Sequence, residues 1–211
     1  MHTTPDEILV GPPHLFGDEP ALLDRALTSA AAWAGSTYLE FGMGGSTVRA
    51  AAAGFTRIVS VDSVAAWANA VRVHLAVAPL IAAGRAHILH ADIGPVGQWG
   101  RPVDARSMAR WPDYVQAPLP HLPHAPNLVF VDGRFRVACC AVAALLALGE
   151  PARETAILLH DVGPERPQYD AVLGILESVE ATGSLHRLRV RPDATVAMAL
   201  SLLMRVQFDP A

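Results

Sequence analysis

Five short apolar runs recur along the chain at Thr37–Phe41, Arg57–Val61, Ala86–Leu89, Leu128–Val131 and Ala156–Leu159. Most lack a polar alternate, the pattern of parallel strands buried on both faces. Between them the apolar spacing changes to that of a helix. Leu22, Leu23, Ala26, Leu27, Ala30 and Ala31 form one stripe, ending near Gly35. Ser46–Ala53 follows as a helix stopped by Gly54, and Ala65–Ala83 as another that Pro79 should kink or end. Phe135–Leu148 is a helix apolar nearly all round. Strands alternating with helices predict an α/β protein with a parallel sheet covered on both faces.

The C-terminal third departs from that rhythm. Pro167 suits the first turn of a helix, with Tyr169, Val172, Leu173, Leu176 and Val179 as its stripe and Gly183 as its C-terminal cap. Leu188 and Val190 then alternate with Arg187, Arg189 and Arg191, a strand with one wet face. A turn at Pro192–Asp193 leads to an expected strand over roughly Val196–Val206. So short a connection forces an antiparallel pair, because a parallel return needs a crossover of about a dozen residues.

The chain of 211 residues is expected to form a single domain over 1–211. Residues 1–18 read as an irregular lead-in. Residues 94–126 read as an insertion rich in proline and aromatics, a lid over an acceptor pocket or a subunit contact. Its candidate substrate contacts are Trp99, Arg101, Trp111 and Tyr114. A hydrophobic share of 52% against 17% charged residues argues against disorder. The longest apolar run, Val137–Leu148, is too short for a membrane span, so no membrane partner is expected. No basic segment precedes an apolar stretch near the N-terminus, so the expected location is cytoplasmic. All 16 basic residues are arginine and the net charge is −4, which argues against a nucleic-acid partner. Cys139 and Cys140, adjacent in a helical pattern, read as core residues.

The most informative stretch is T-Y-L-E-F-G-M-G-G-S-T at 37–47. A strand ends, glycines at 42 and 44 turn the chain, and Ser46 opens a helix whose first amides face the turn. A dinucleotide fingerprint would require a third glycine where Thr47 stands. Glu40 would repel a pyrophosphate and suits a ligand with an ammonium group. Asp62 ends the second strand about twenty residues on, placed to accept from ribose hydroxyls.

E-x-G-x-G-x-S resembles motif I of the class I S-adenosylmethionine-dependent methyltransferases, and N-L-V-F-V-D-G-R-F at 127–135 resembles motif IV of their small-molecule O-methyltransferase-like branch. The resemblance spans roughly 20–206. It implies a Rossmann-like doubly wound seven-stranded sheet, mostly parallel, with a C-terminal antiparallel hairpin strand. It also implies a cofactor, S-adenosyl-L-methionine, held by Glu40, Gly42, Gly44, Ser46, Asp62, Asp92 and Ile93, with Trp67 near the adenine. Asp132, His160 and Asp161 would share one rim with the glycine turn and serve as catalytic residues, Arg134 lying on the substrate side and neutralising Asp132.

The expected reaction is methyl transfer to a small-molecule acceptor, at oxygen first and nitrogen next. Metal-dependent relatives use an aspartate after the fourth strand and an Asp–Asn pair after the fifth. Asp132 and Asp161 are thus the candidate Mg²⁺ ligands, but Val162 stands in the asparagine position, and the expectation is a site without metal. His121 and His124 lack companion cysteines and are not read as a zinc site. A homodimer through the insertion or the final hairpin is the partner considered. Rival readings are a cofactor-binding module without turnover, a nucleotide-dependent oxidoreductase and an aminopropyl transferase.

Overall fold

The computed structural model describes residues 8–211, so residues 1–7 of the expected lead-in lie outside the described residues. The elements run α1 (Glu19–Ala31), β1 (Thr37–Phe41), α2 (Gly45–Ala53), β2 (Arg57–Asp62), α3 (Ala65–Val73), α4 (Ala78–Ala82) and β3 (Ala86–His90). After a long connection come α5 (Asp113–Gln116), β4 (Leu128–Val131), α6 (Arg136–Gly149) and β5 (Ala156–Leu159). A 3₁₀ segment at Pro167–Gly174 leads into β6 (Leu176–Thr182), β7 (Leu185–Val190) and α7 (Val196–Val206).

The strands form one sheet in the order β3-β2-β1-β4-β5-β7-β6. β1 to β5 are mutually parallel, and β7 runs antiparallel to both β5 and β6. The period of two divides their side chains between the faces. Leu39, Phe41, Val59, Val61, Val129 and Val131 pack under α6 and the insertion. Tyr38, Ile58, Leu128, Phe130 and Leu158 pack under α1 to α4. Each fully buried Leu, Phe or Val contributes about 1.5–3 kcal/mol, which is why the apolar runs decide the strand positions.

Two C-terminal expectations are corrected. The helix expected from Pro167 to Gly183 stops as a 3₁₀ segment at Gly174, and Leu176–Thr182 is strand. Leu176 and Val179 fit a helical stripe, but this segment pairs along β7 as the sheet's edge. Gly183 adopts a positive φ (57°) in the two-residue connection from β6 to β7, rather than capping a helix. The expected strand over Val196–Val206 is a helix. Its Ala, Leu and Met residues are strong helix formers, and the Thr195 hydroxyl caps it by accepting from the Met198 amide (3.2 Å). The antiparallel hairpin therefore exists one connection earlier than its expected place. Pro79 divides the expected Ala65–Ala83 helix into α3 and α4, lying in the first turn of α4.

The insertion folds into short 3₁₀ turns and the single turn of α5. Trp111, Tyr114 and Val115 anchor it in the core, while Trp99 stays exposed. Among the described residues no helix is long and apolar enough to cross a membrane.

Candidate functional site

The parallel register aligns Phe41 with Val61 and Val131, and Val131 with Leu159. The next residue of each strand therefore reaches one rim, placing Gly42, Asp62, Asp132 and His160 side by side where the strand order reverses. Open α/β sheets bind ligands at that switch point. Gly42 makes the approach possible. Its φ is 92°, and a Cβ there would lie 2.5 Å from the Gly133 amide nitrogen, so only glycine lets the β1 and β4 loops meet.

A cleft of about 830 Å³ opens above this rim. At one end it is lined by the Gly42–Ser46 turn, Asp62, Val64 and Trp67. At the other lie Asp132, Arg134, Arg136, His160, Asp161 and Arg166. Gly11–His14 and Phe16 of the lead-in and Gly97–Val103 of the insertion form the remaining walls. Gly45 accommodates the lead-in, because a Cβ there would collide with the Gly11–Pro13 backbone. His14 and Trp99 meet at the mouth with ring centroids 5.9 Å apart.

At the glycine-turn end, Asp62 accepts from the amides of Val64 (2.7 Å) and Met43 (3.3 Å). Burial raises its pKa, while those amide bonds act in the opposite direction. Gly44 has open space where a Cβ would project, and the first turn of α2 presents its amides beside it. Helix N-terminal amides, a half-buried carboxylate and bare backbone at the turn suit an uncharged sugar and a zwitterionic tail.

Glu40 does not reach this cleft, which corrects its expected contact with the cofactor. It is fully buried, accepting from the hydroxyls of Ser46, Thr47 and Ser60. Burial pushes its pKa up to about 8, against the lowering effect of the three hydroxyls, so the group is protonated at neutral pH. It clamps the first turn of α2 to β1 and β2. Asp92 and Ile93 are also corrected. Asp92 is exposed, accepting from the Gly94 amide (3.0 Å) and pairing with Arg110, and Ile93 is fully buried in the core. Trp111 lies in the core against Phe135, away from the cleft.

At the other end, Asp132, His160 and Asp161 come together as expected from the strand ends, with candidate ligand atoms within 4.8 Å of one another. His160 is buried, its Nδ1 2.8 Å from Asp132 and its Nε2 3.2 Å from Glu19. Burial pulls the His160 pKa down, but the hydrogen bond and charge of Asp132, with Asp161 and Glu19, lift it above the ordinary value. With both ring nitrogens engaged by carboxylates, His160 is a positioning group, so the expected role as a free base is not what the geometry offers.

Arg136, rather than Arg134, neutralises the aspartates: it reaches Asp132 (3.2 Å) and Asp161 (2.9 Å) and donates to the carbonyls of Asp132, Gly133 and His160. Arg166 adds a second cation to Asp161 (3.2 Å). Burial acts to raise the Asp161 pKa, but Arg136, His160 and Arg166 together hold it below the ordinary value. Asp161 and Trp99 have positive φ (61° and 59°), strain of the kind that the surrounding fold must impose. The donor set does not suit Mg²⁺. Two guanidinium groups, Arg136 and Arg166, already supply the positive charge that a metal ion would bring.

Glu19, Arg136 and Arg166 escaped the sequence reading. Glu19 lies 141 positions from His160, and nothing local marks the pair. Arg136 had a signal, its i,i+4 spacing from Asp132 at the start of α6.

A seven-stranded sheet with its seventh strand reversed, and a glycine turn facing a strand-end aspartate at the switch point, define a methyltransferase-type α/β fold. The chain is 30% identical to a methyltransferase-like protein of Silicibacter pomeroyi DSS-3, over 97% of this chain and 98% of that one, with a TM-score of 0.72. The O-methyltransferase of Bacillus cereus, solved in complex with S-adenosylhomocysteine, shares the fold at 14% identity and a TM-score of 0.50, over 85% of this chain and 84% of that one. No protein-family model and no curated protein matches the chain. The chain belongs to the class I S-adenosylmethionine-dependent methyltransferase superfamily.

Proposed function

We propose that the protein transfers a methyl group from S-adenosylmethionine to an oxygen of a small molecule, with nitrogen as the next acceptor to test. The observation that carries this reading is the Asp62 carboxylate, set beside the open face of Gly44 at the switch point of the sheet. In this reading Asp62 accepts from the ribose hydroxyls, the Gly42–Ser46 turn receives the amino acid tail, and Trp67 lies at the adenine end. The cofactor, when bound, supplies an electrophilic methyl group on a sulfonium.

What the chain must add is alignment and a hydrogen-bond acceptor for the attacking hydroxyl. Asp132 fits that task, because its carboxylate lines the cleft and is held in place by His160 and Arg136. The cleft volume falls in the range of about 300–1,000 Å³ usual for small-molecule sites, and its walls close over it from the lead-in and the insertion. The net charge of −4 supports a small acceptor over a nucleic acid.

Calorimetric titration with S-adenosylhomocysteine, NAD and NADP tests the cofactor assignment, and only the first should bind. Binding of NAD in preference would overturn it. Methyl transfer from S-adenosylmethionine across a panel of phenols, alcohols and amines tests the reaction. Asp132→Asn should keep cofactor affinity and lose turnover. Full turnover in that variant would remove Asp132 from the chemistry.

A further inference from the structure

At the acceptor end of the cleft each acidic group already has its cations. Asp132 is paired with His160 and Arg136, Asp161 with Arg136 and Arg166, and Glu19 with His160. Arg134 lines the same cleft, is only 7% exposed, and forms no ion pair among the described residues. Its Nε is buried without a hydrogen-bond partner. The backbone holds it there: its amide donates to the Tyr114 hydroxyl (3.4 Å) and its carbonyl accepts from the Cys139 thiol (3.4 Å).

Burial and the neighbouring Arg136 lower the Arg134 pKa, and Arg101 is near enough to add to the effect. Arg101 also lines the cleft and has no carboxylate partner among the described residues. A buried guanidinium without a counter-charge is costly, and proteins almost always pair such groups. Its planar fork matches the two oxygens of a carboxylate or the oxygens of a phosphate.

We infer that the second ligand of this cleft, the methyl acceptor of the reading above, carries an anionic group, a carboxylate or a phosphate, that seats on Arg134. The methyltransferase reading makes that ligand an acceptor; the anion site itself stands on the unpaired cation.

The test is calorimetric titration of the native protein, with and without saturating S-adenosylhomocysteine, using benzoate, phenyl phosphate and benzyl alcohol as probes. At least one anion should bind about tenfold or more tightly than the neutral alcohol. Benzoate ahead of phenyl phosphate assigns a carboxylate; the reverse order assigns a phosphate. Arg134→Gln should abolish the preference while leaving S-adenosylhomocysteine affinity unchanged. Arg134→Lys keeps the charge without the fork and should retain an intermediate preference, so the test stands even where the glutamine variant does not fold.

Equal binding of charged and neutral probes by the native protein would overturn the inference. So would a preference that survives in Arg134→Gln, or an equal loss of S-adenosylhomocysteine affinity, which would assign Arg134 to the cofactor. An anion preference without any S-adenosylhomocysteine binding would support the anion site and sink the methyltransferase reading alone.

Discussion

The buried carboxyl group of Glu40 makes a sharp demand on how stability varies with pH. Its folded pKa is raised from 4.5 to about 8, so the folded chain holds a proton that the unfolded chain releases. For a raised pKa the contribution to stability is fully present below the unfolded value and is lost as pH rises through the folded one. At about 1.36 kcal/mol per pH unit, the interval from 4.5 to about 8 corresponds to a loss on the order of 5 kcal/mol. That is comparable to the whole stability of many domains, about 5–15 kcal/mol.

Glu40→Gln retains the shape, one acceptor oxygen and a donor for the three hydroxyls, and removes the titration. Urea unfolding followed by far-ultraviolet circular dichroism from pH 5 to pH 9 measures both proteins. The two should be within about 1 kcal/mol at pH 5. At pH 9 the variant should be the more stable by several kcal/mol, and the difference should develop between pH 5 and pH 8. Every other titrating group is common to both proteins and largely cancels in the comparison. Parallel stability curves would refute the reasoning, because they would mean that Glu40 is ionised in the folded chain. A loss of S-adenosylhomocysteine affinity as large as that from Asp62→Ala would instead restore a direct contact with the ligand.

Three further outcomes follow from the same geometry. His160→Gln leaves Asp132 and Glu19 without their shared cation and should cost about 3 kcal/mol in urea unfolding below pH 6.5. Because the His160 pKa is raised, that difference should shrink as pH rises above the ordinary histidine value; a difference constant to pH 9 would count against the imidazolium. Arg136→Leu removes two ion pairs and three carbonyl contacts and should destabilise by about 3–5 kcal/mol in the same assay; a loss below about 1 kcal/mol would show the cluster to be dispensable. Gly42→Ala should destabilise by at least about 2 kcal/mol, since it meets Gly133 at a positive φ, whereas Gly44→Ala should melt like the native protein and weaken S-adenosylhomocysteine binding about tenfold. Reversed behaviour at the two glycines would mean that the turn faces the other way.

The sequence by itself determined the five parallel strands and the shared rim. Each is a short run of buried apolar residues, and a parallel sheet must present the residue after each run at the same edge. It therefore placed Gly42, Asp62, Asp132, His160 and Asp161 together. Only the tertiary structure decided the C-terminal hairpin, because the half-exposed edge strand Leu176–Thr182 carries an apolar spacing that also fits a helix, and pairing with β7 settles the matter. It also decided which side chains face the cleft. Glu40 lies two residues after Tyr38 on a strand, so both point beneath α1 and α2, and the carboxyl group is buried under the turn it was expected to serve. The Glu19–His160 pair and the Arg136 contacts to Asp132 and Asp161 join separate elements, the helices α1 and α6 and the ends of β4 and β5, brought together by core packing. Charge neutralisation across such distances in sequence is a property of the packed layers, and it left Arg134 buried without an ion pair among the described residues.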